Sequence, residues 1–597
     1  MNFQTEIQTL LDNIRTRSRQ EAEETIFRWL GMNRLDQKQT TQQQYERSLQ
    51  NRLDGTCEWI FQHPVYKNWK LVDETDNEAK IFWLNGPAGH GKTVICAKIV
   101  EDFKVSGVDI GYFFASSHAE SGGEPEMAVR CWIAQAVHNN SEIQELVYGY
   151  LNARESGQMA MEKEIWAIFE GLVSHNPDLT FFLDGFDEYP RSDDTRTRFL
   201  QKLKTAVANT RARIFISSRD ETDIRAELSS KTRVTGLSTF ECKISKEEVQ
   251  HDIALFSKHV VDAKLSNKSE QVRSDLATML ADKCDGMFLW INLQKEKLSK
   301  GKNKKQLEQV VSNMPTGLSR TYERKWASIV NRAEEERARA ESILRWTLFA
   351  ARPLTIAEIT EILLVELYSR EGNLSLDDLP DAIDDAYIEE EIITVCEFLI
   401  EARPTPTDNS PSSMTIHFVH PSVREYMFSV LPSIKGVLFD ALPGGFGPAS
   451  NGVLARTCVN YLNFNESWIC SQREESNTIL RPFVDYAARS WFFHISESGN
   501  TSPEIVALVV RLLDLRNEKF LKWREYFNST LEPGDERWWT HEKDAASPLY
   551  YAALFDLVSG MDQIYENSHA ELNEIGGRYG TPLQAVCVKN NVASLKS

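Results

Sequence analysis

Eight consecutive residues, Gly86-Pro87-Ala88-Gly89-His90-Gly91-Lys92-Thr93, carry the clearest chemistry in this chain. They satisfy the pattern G-x-x-x-x-G-K-[ST], whose glycines let the backbone close around a polyphosphate with its N–H groups turned inward. In such a loop Lys92 reaches the β and γ phosphates, and the Thr93 hydroxyl supplies an oxygen to Mg²⁺. A metal bound through one hydroxyl also needs a carboxylate from a neighbouring strand. Thr180-Phe181-Phe182-Leu183-Asp184 provides one, an apolar run ending in an acid 91 residues beyond Thr93. Asp184 is therefore expected to hold Mg²⁺ through its water shell. Asp187 and Glu188 follow, and either could orient or deprotonate an attacking water; the alternative for both is a solvated acidic turn. Arg213-Ile214-Phe215-Ile216-Ser217-Ser218-Arg219 is a further buried run that ends in a cation. Arg219 is expected to sense the γ-phosphate, with a structural ion pair to a nearby acid as the alternative.

These groups need a scaffold that brings strand ends together. Ile81–Leu84, Ile110–Phe114, Leu179–Leu183 and Arg213–Ser217 read as short buried strands separated by helix-length segments. That alternation predicts an α/β core, a parallel sheet with flanking helices. The expected organisation is an N-terminal helical segment (1–75), the nucleotide-binding α/β domain (76–230) and a helical domain (231–345). A winged-helix domain (346–430), a helical connector (431–545) and a partial repeat region (546–597) follow. The winged helix rests on a hairpin predicted from Phe398–Ala402 and Thr415–Val419 around a Pro/Ser/Thr-rich tip. Glu335 and Arg339 stand four apart, the spacing of a helical ion pair. The repeat rests on Ser547-Pro548-Leu549-Tyr550-Tyr551-Ala552 returning 34 residues later as Thr581-Pro582-Leu583-Gln584-Ala585-Val586. A period of about 33 residues with a T-P-L-like helix start is that of ankyrin repeats.

Bulk properties narrow the partners. A net charge of −20 over 597 residues argues against nucleic acid and anionic membranes as partners. The short run Lys300, Lys302, Lys304 and Lys305 reads as a solvated turn. Nine scattered cysteines, none in a C-x-x-C pair, suit a reducing compartment better than a disulfide framework or a zinc module. No apolar run approaches the ~20 residues that span a bilayer. The expected location is the cytoplasm.

Together these motifs resemble the NACHT family, the nucleotide-binding domain of STAND-type signalling NTPases. The sharpest likeness is Leu183-Asp184-Gly185-Phe186-Asp187-Glu188, with a small residue after the magnesium aspartate and an acidic pair behind it. Gly55-Thr56-Cys57-Glu58-Trp59-Ile60, Cys284-Asp285-Gly286-Met287-Phe288-Leu289-Trp290, Arg352-Pro353-Leu354-Thr355 and Pro482-Phe483-Val484-Asp485-Tyr486-Ala487-Ala488-Arg489 are similar to segments of fungal NACHT–ankyrin proteins. The resemblance implies an NLR-like switch using ATP, ADP and Mg²⁺, closed with ADP and opened by ATP for homo-oligomerisation. It implies slow hydrolysis and protein recognition through ankyrin repeats. It also implies that His420, in Phe418-Val419-His420-Pro421, touches the ADP β-phosphate from the winged-helix domain. Two other readings stand beside it. One is a scaffold with a structural nucleotide; the other is a metabolic or mechanical P-loop ATPase or kinase, against which no transporter signature or second substrate site is evident.

Overall fold

The computed structural model describes residues 19–32, 35–71, 77–115, 124–152, 159–176, 178–189, 194–229, 234–368, 379–405, 408, 410–430, 446–464, 481–499, 502–530, 546–568, 572–589, 591 and 594–595. Parts of every expected segment lie outside these residues, among them the first 18 positions, part of the hairpin tip and stretches of the 431–545 connector. The chain divides into two compact units, Met1–Arg324 and Lys325–Ser597.

The first unit is built on a five-stranded parallel sheet: β1 Ala79–Asn85, β2 Ile110–Phe114, β3 Thr180–Asp184, β4 Arg213–Ser218 and β5 Leu237–Lys243. Its spatial order is β2-β3-β4-β1-β5. Side chains alternate across each strand, and both faces are covered, so β1–β4 read as unbroken apolar runs. Ile81, Trp83, Phe181, Leu183, Ile214 and Ile216 enter one core, against helices Glu126–Asn139, Glu162–His175 and Thr195–Val207. Phe82, Leu84, Phe182 and Phe215 enter the other, beneath helices Lys92–Val105 and Gln250–Lys264. In that second core Phe82 and Phe215, opposite one another in register, stack at 5.5 Å with Phe182 alongside. Truncating such a ring to Ala costs about 3–5 kcal/mol. The ends of β3 and β4 that carry Asp184 and Ser217 are thereby held by rings two residues deeper in the sheet.

Two expectations change here. The sheet does not end near residue 230, because β5 pairs with β1 in parallel from Ala79↔Leu237 to Asn85↔Lys243. β5 is an edge strand whose middle residues are only partly buried, so it lacks the apolar run that marks the other four. The N-terminal segment is also more than polar helix: residues 19–29 are helical, and Ile26, Trp29 and Leu30 are buried in the sheet's first core.

In the second unit the hairpin forms from β6 Ile400–Arg403 and β7 Thr415–Phe418, antiparallel. Leu354 and Ile356 bond to the other edge of β7, with Ile416 N–H donating to Leu354 O and Ile356 N–H to Met414 O. Arg339 pairs with Glu391 rather than Glu335, while Arg332 pairs with Glu336 four residues on. The register of the helix Glu334–Phe349 against neighbouring residues, not sequence spacing, chose the partner. At both repeat positions a helix begins with the same cap. Ser547 Oγ accepts from Tyr550 N–H ahead of helix Pro548–Leu554, and Thr581 Oγ1 accepts from Gln584 N–H ahead of Pro582–Lys589. The eight cysteines among the described residues form no disulfide. No helix among the described residues is long and apolar enough to cross a membrane.

One buried relay locks this unit. Ala351 N–H donates to Tyr486 Oη at 2.8 Å, Tyr486 Oη–H lies 2.8 Å from His494 Nε2, and His494 Nδ1 lies 2.8 Å from Asn451 Oδ1. Every group is satisfied when His494 is neutral and protonated on Nδ1. Burial pulls its pKa down to about 3. The unfolded chain takes up this proton near pH 6.5 and the folded chain does not, so stability is lost as pH falls from about 6.5 towards 3. His494→Gln is expected to flatten that loss in urea unfolding followed by tryptophan fluorescence. Equal slopes for the variant and the parent chain would show that His494 is not the group responsible.

Candidate functional site

The phosphate loop leaves the end of β1 and runs directly into helix Lys92–Val105, whose 14 residues direct the positive end of their dipole at the loop. Gly89 takes a φ of +77°, and a Cβ there would lie 2.8 Å from Leu289 Cβ. Only glycine fits on both counts. Lys92 Nζ donates to the carbonyls of Gly86 and Pro87, both at 2.9 Å, so the ammonium spans the mouth of the loop that a polyphosphate would enter. Burial lowers its pKa, while the Asp187, Asp184 and Glu188 carboxylates oppose that effect.

Asp184 ends β3 and is buried. Because β4 lies between β3 and β1, the residue beside Asp184 is Ser217 of β4, whose hydroxyl donates to Asp184 Oδ1. The same Ser217 Oγ accepts from Gly185 N–H at 3.1 Å. From the other side the Thr93 side chain bonds to Asp184. Burial pushes Asp184 up to about 6, against the pull of Ser217, Thr93 and Lys92. A carboxylate so desolvated gains from a cation, and the Thr93 hydroxyl beside it is the hard oxygen partner Mg²⁺ prefers. The residues present fit magnesium.

Behind Asp184 the chain turns through Gly185 into the single turn Phe186–Glu188. Asp187 accepts from Arg219 twice, at Oδ1 from the backbone N–H and at Oδ2 from Nε, both at 3.0 Å. Arg219 and Asp187 therefore meet as an ion pair. The Glu188 carboxylate folds back over Gly185, with Oε1 3.3 Å from where a Cβ would stand there. The predicted residues 86–93, 184, 187, 188 and 219 thus converge at one edge of the sheet. His420 belongs to the second unit, where its Nδ1 accepts from Ser422 N–H at 3.1 Å at the start of helix Pro421–Val430.

Two groups were not assigned roles from sequence. In the sequence Ser217 is simply part of an apolar strand, and nothing in its spacing marks it as the Asp184 donor. Cys284–Trp290 stands out in the sequence by resemblance alone, yet it packs on the loop itself. Leu289 N–H donates to Gly89 O at 3.4 Å, and a Cβ at Gly286 would lie 3.0 Å from His90 Nε2. His90 is buried under this segment, with Nδ1 3.2 Å from Ala88 O, and burial lowers its pKa. A buried, neutral imidazole thus joins the phosphate loop to the residues leading into helix Phe288–Gln294.

Residues 55–219 match the family model described as Nephrocystin 3, N-terminal. That stretch spans the loop, Asp184, the acidic turn and Arg219. Among curated proteins, azaphilone pigments biosynthesis cluster protein L of Monascus ruber is 27% identical over 357 residues, covering 56% of this chain and 71% of that protein. Vegetative incompatibility protein HET-E-1 of Podospora anserina is 22% identical over 391 residues, covering 63% of this chain. The match takes in only 26% of HET-E-1's own length. These similarities support the resemblance to NACHT NTPases. Solved structures align weakly. A Walker-type ATPase of Pyrococcus abyssi is 12% identical with a TM-score of 0.26, covering 66% of this chain and 95% of that one. Cdc6p of Pyrobaculum aerophilum is 14% identical with a TM-score of 0.29, covering 64% and 94%.

Ser217→Ala removes one donor to Asp184 and one acceptor for Gly185. Magnesium-dependent nucleotide affinity is expected to fall about tenfold, the scale of one charge-assisted hydrogen bond. Ser217→Thr should keep most of it. Titration with a fluorescent nucleotide checks this, and unchanged affinity in the alanine variant would remove Ser217 from the site.

Proposed function

We propose that this chain is a NACHT-type signalling NTPase whose bound nucleotide, ADP or ATP with Mg²⁺, sets its conformation and self-association. The observation that carries the reading is the meeting of Thr93, Asp184 and Ser217 at the foot of a loop that holds Lys92. Bound magnesium would offset phosphate charge and polarise the terminal phosphoryl group. The chain's own residues divide the remaining work. Lys92 binds phosphate, Glu188 orients water, and the Arg219–Asp187 pair positions the turn that presents Glu188.

The switch is supported by the second unit. Leu354–Ile356, β7 and β6 make a small three-stranded arrangement beside helix Ile356–Tyr368, the ingredients of a winged helix. His420, whose Nδ1 accepts from Ser422 N–H, is the residue we assign to hold the closed, ADP-bound form, on the resemblance alone. The matching caps at Ser547 and Thr581 favour ankyrin-type recognition of a protein partner. Slow turnover follows from the role, since a switch must outlast the signal it carries.

Lys92→Ala is expected to abolish binding of both ATP and ADP in equilibrium titration; parental affinity in that variant would dismiss the loop assignment. His420→Ala is expected to release ADP faster and to raise the oligomer fraction in size-exclusion chromatography with light scattering. A variant that stays monomeric and retains its ADP would leave His420 without a part in the switch.

A further inference from the structure

Outside the nucleotide site, three side chains of different chemistry converge at the sheet's edge strand. His63 immediately precedes helix Pro64–Lys70, Cys242 is the penultimate residue of β5, and Glu248 lies between β5 and helix Gln250–Lys264. One ligand atom from each lies within 4.8 Å of the other two. Cys242 Sγ is 3.9 Å from His63 Nδ1 and 4.0 Å from Nε2, and His63 Nε2 is 3.2 Å from Glu248 Oε1. Cys242 is buried, whereas His63 and Glu248 are about three-quarters covered and open to solvent on one side.

We propose that His63, Cys242 and Glu248 form a binding site for a borderline-soft divalent cation of the zinc type. Tetrahedral zinc, with bonds of about 2.3 Å to sulfur and about 2.0–2.1 Å to nitrogen and oxygen, sets sulfur and nitrogen about 3.6 Å apart and nitrogen and oxygen about 3.4 Å apart. The observed sulfur–nitrogen and nitrogen–oxygen separations differ from these by a few tenths of an ångström, and the sulfur and carboxylate oxygen lie within 4.8 Å of one another. Sulfur and imidazole select zinc over magnesium or calcium, which take oxygen ligands. Thiolate and carboxylate together neutralise a doubly charged ion. The carboxylate is already oriented, because Glu248 Oε2 accepts from Ser245 N–H at 2.9 Å while Oε1 faces His63. The His63 ring is steadied by Trp59, edge to face at 6.2 Å. Three protein ligands leave a fourth position for water on the open side.

The site's place in the fold gives it a consequence. Cys242 lies opposite Leu84 in the β5–β1 ladder, two residues before the phosphate loop begins. Ile244 N–H then donates to Asn85 O at 2.7 Å, and the Ile244 side chain packs on Gly86. A cation here would staple helix Pro64–Lys70 and the start of helix Gln250–Lys264 to the strand that flanks the loop.

The test uses the full chain, stripped with chelator and then titrated with Co²⁺ alone and Zn²⁺ alone, without nucleotide. One equivalent of Co²⁺ should give a thiolate-to-cobalt charge-transfer band that Zn²⁺ abolishes. Cys242→Ser should lose the band, and His63→Asn and Glu248→Gln should each weaken zinc binding at least about tenfold. Cys587→Ser, which removes an exposed thiol, should keep the band, as should Lys92→Ala. Should Cys242→Ser fold poorly, the other two variants are read by melting: Zn²⁺ should raise the Tm of the parent chain but not theirs, with equal Tm values in chelator. No band in the parent chain, or a band that survives Cys242→Ser, would overturn the site. The trio would then be a His63–Glu248 ion pair beside a buried thiol.

Discussion

A single buried carboxylate organises the first unit. Asp184 sits at the end of a strand with no water to solvate it, so its charge must be met by the Ser217 hydroxyl, the Thr93 hydroxyl and the Lys92 ammonium. Those three groups come from β4 and from the first two residues of helix Lys92–Val105, where the loop ends. They converge only if β1, β4 and β3 lie side by side in register with their carboxyl ends level. The stacked rings of Phe82 and Phe215, with Phe182 tilted against them, fix that register from below. Hydrophobic packing supplies the rigidity, and the desolvated acid converts it into affinity for a cation.

β4 is the strand that ties the two acidic elements together. Its last two residues and the one that follows act in turn: Ser217 bonds Asp184, Ser218 accepts from the Trp83 indole N–H at 2.8 Å, and Arg219 grips Asp187. The loop is also fixed from above, by Leu289 on Gly89 and Gly286 on His90. A change in the loop on exchanging nucleotide would therefore be felt along residues 284–294, within the same unit. That path gives the proposed switch a physical carrier.

Much of this was legible in the sequence, and the reasons differ by element. The phosphate loop and the four buried strands β1–β4 were visible because their chemistry demands glycine at fixed places and unbroken apolar runs. The β6–β7 hairpin was visible from its turn residues. β5 was not, since an edge strand such as Leu237-Ser-Thr-Phe-Glu-Cys-Lys alternates weakly and resembles a solvated segment. The Arg219–Asp187 pair was foreseen only as an alternative, because spacing along the chain cannot say which of two charges an arginine will meet. Ser217, Leu289 and the His63–Cys242–Glu248 group act through contacts between residues far apart in sequence. No local pattern encodes them.

The central claim is that nucleotide state governs the form of the molecule. It is tested most directly by identifying the nucleotide released from the denatured, purified full chain and measuring its native mass before and after exchange for ATP. The account predicts ADP at one equivalent in a monomer that assembles on exchange. An empty site that binds ATP weakly, with a mass indifferent to nucleotide, would contradict it and favour a scaffold.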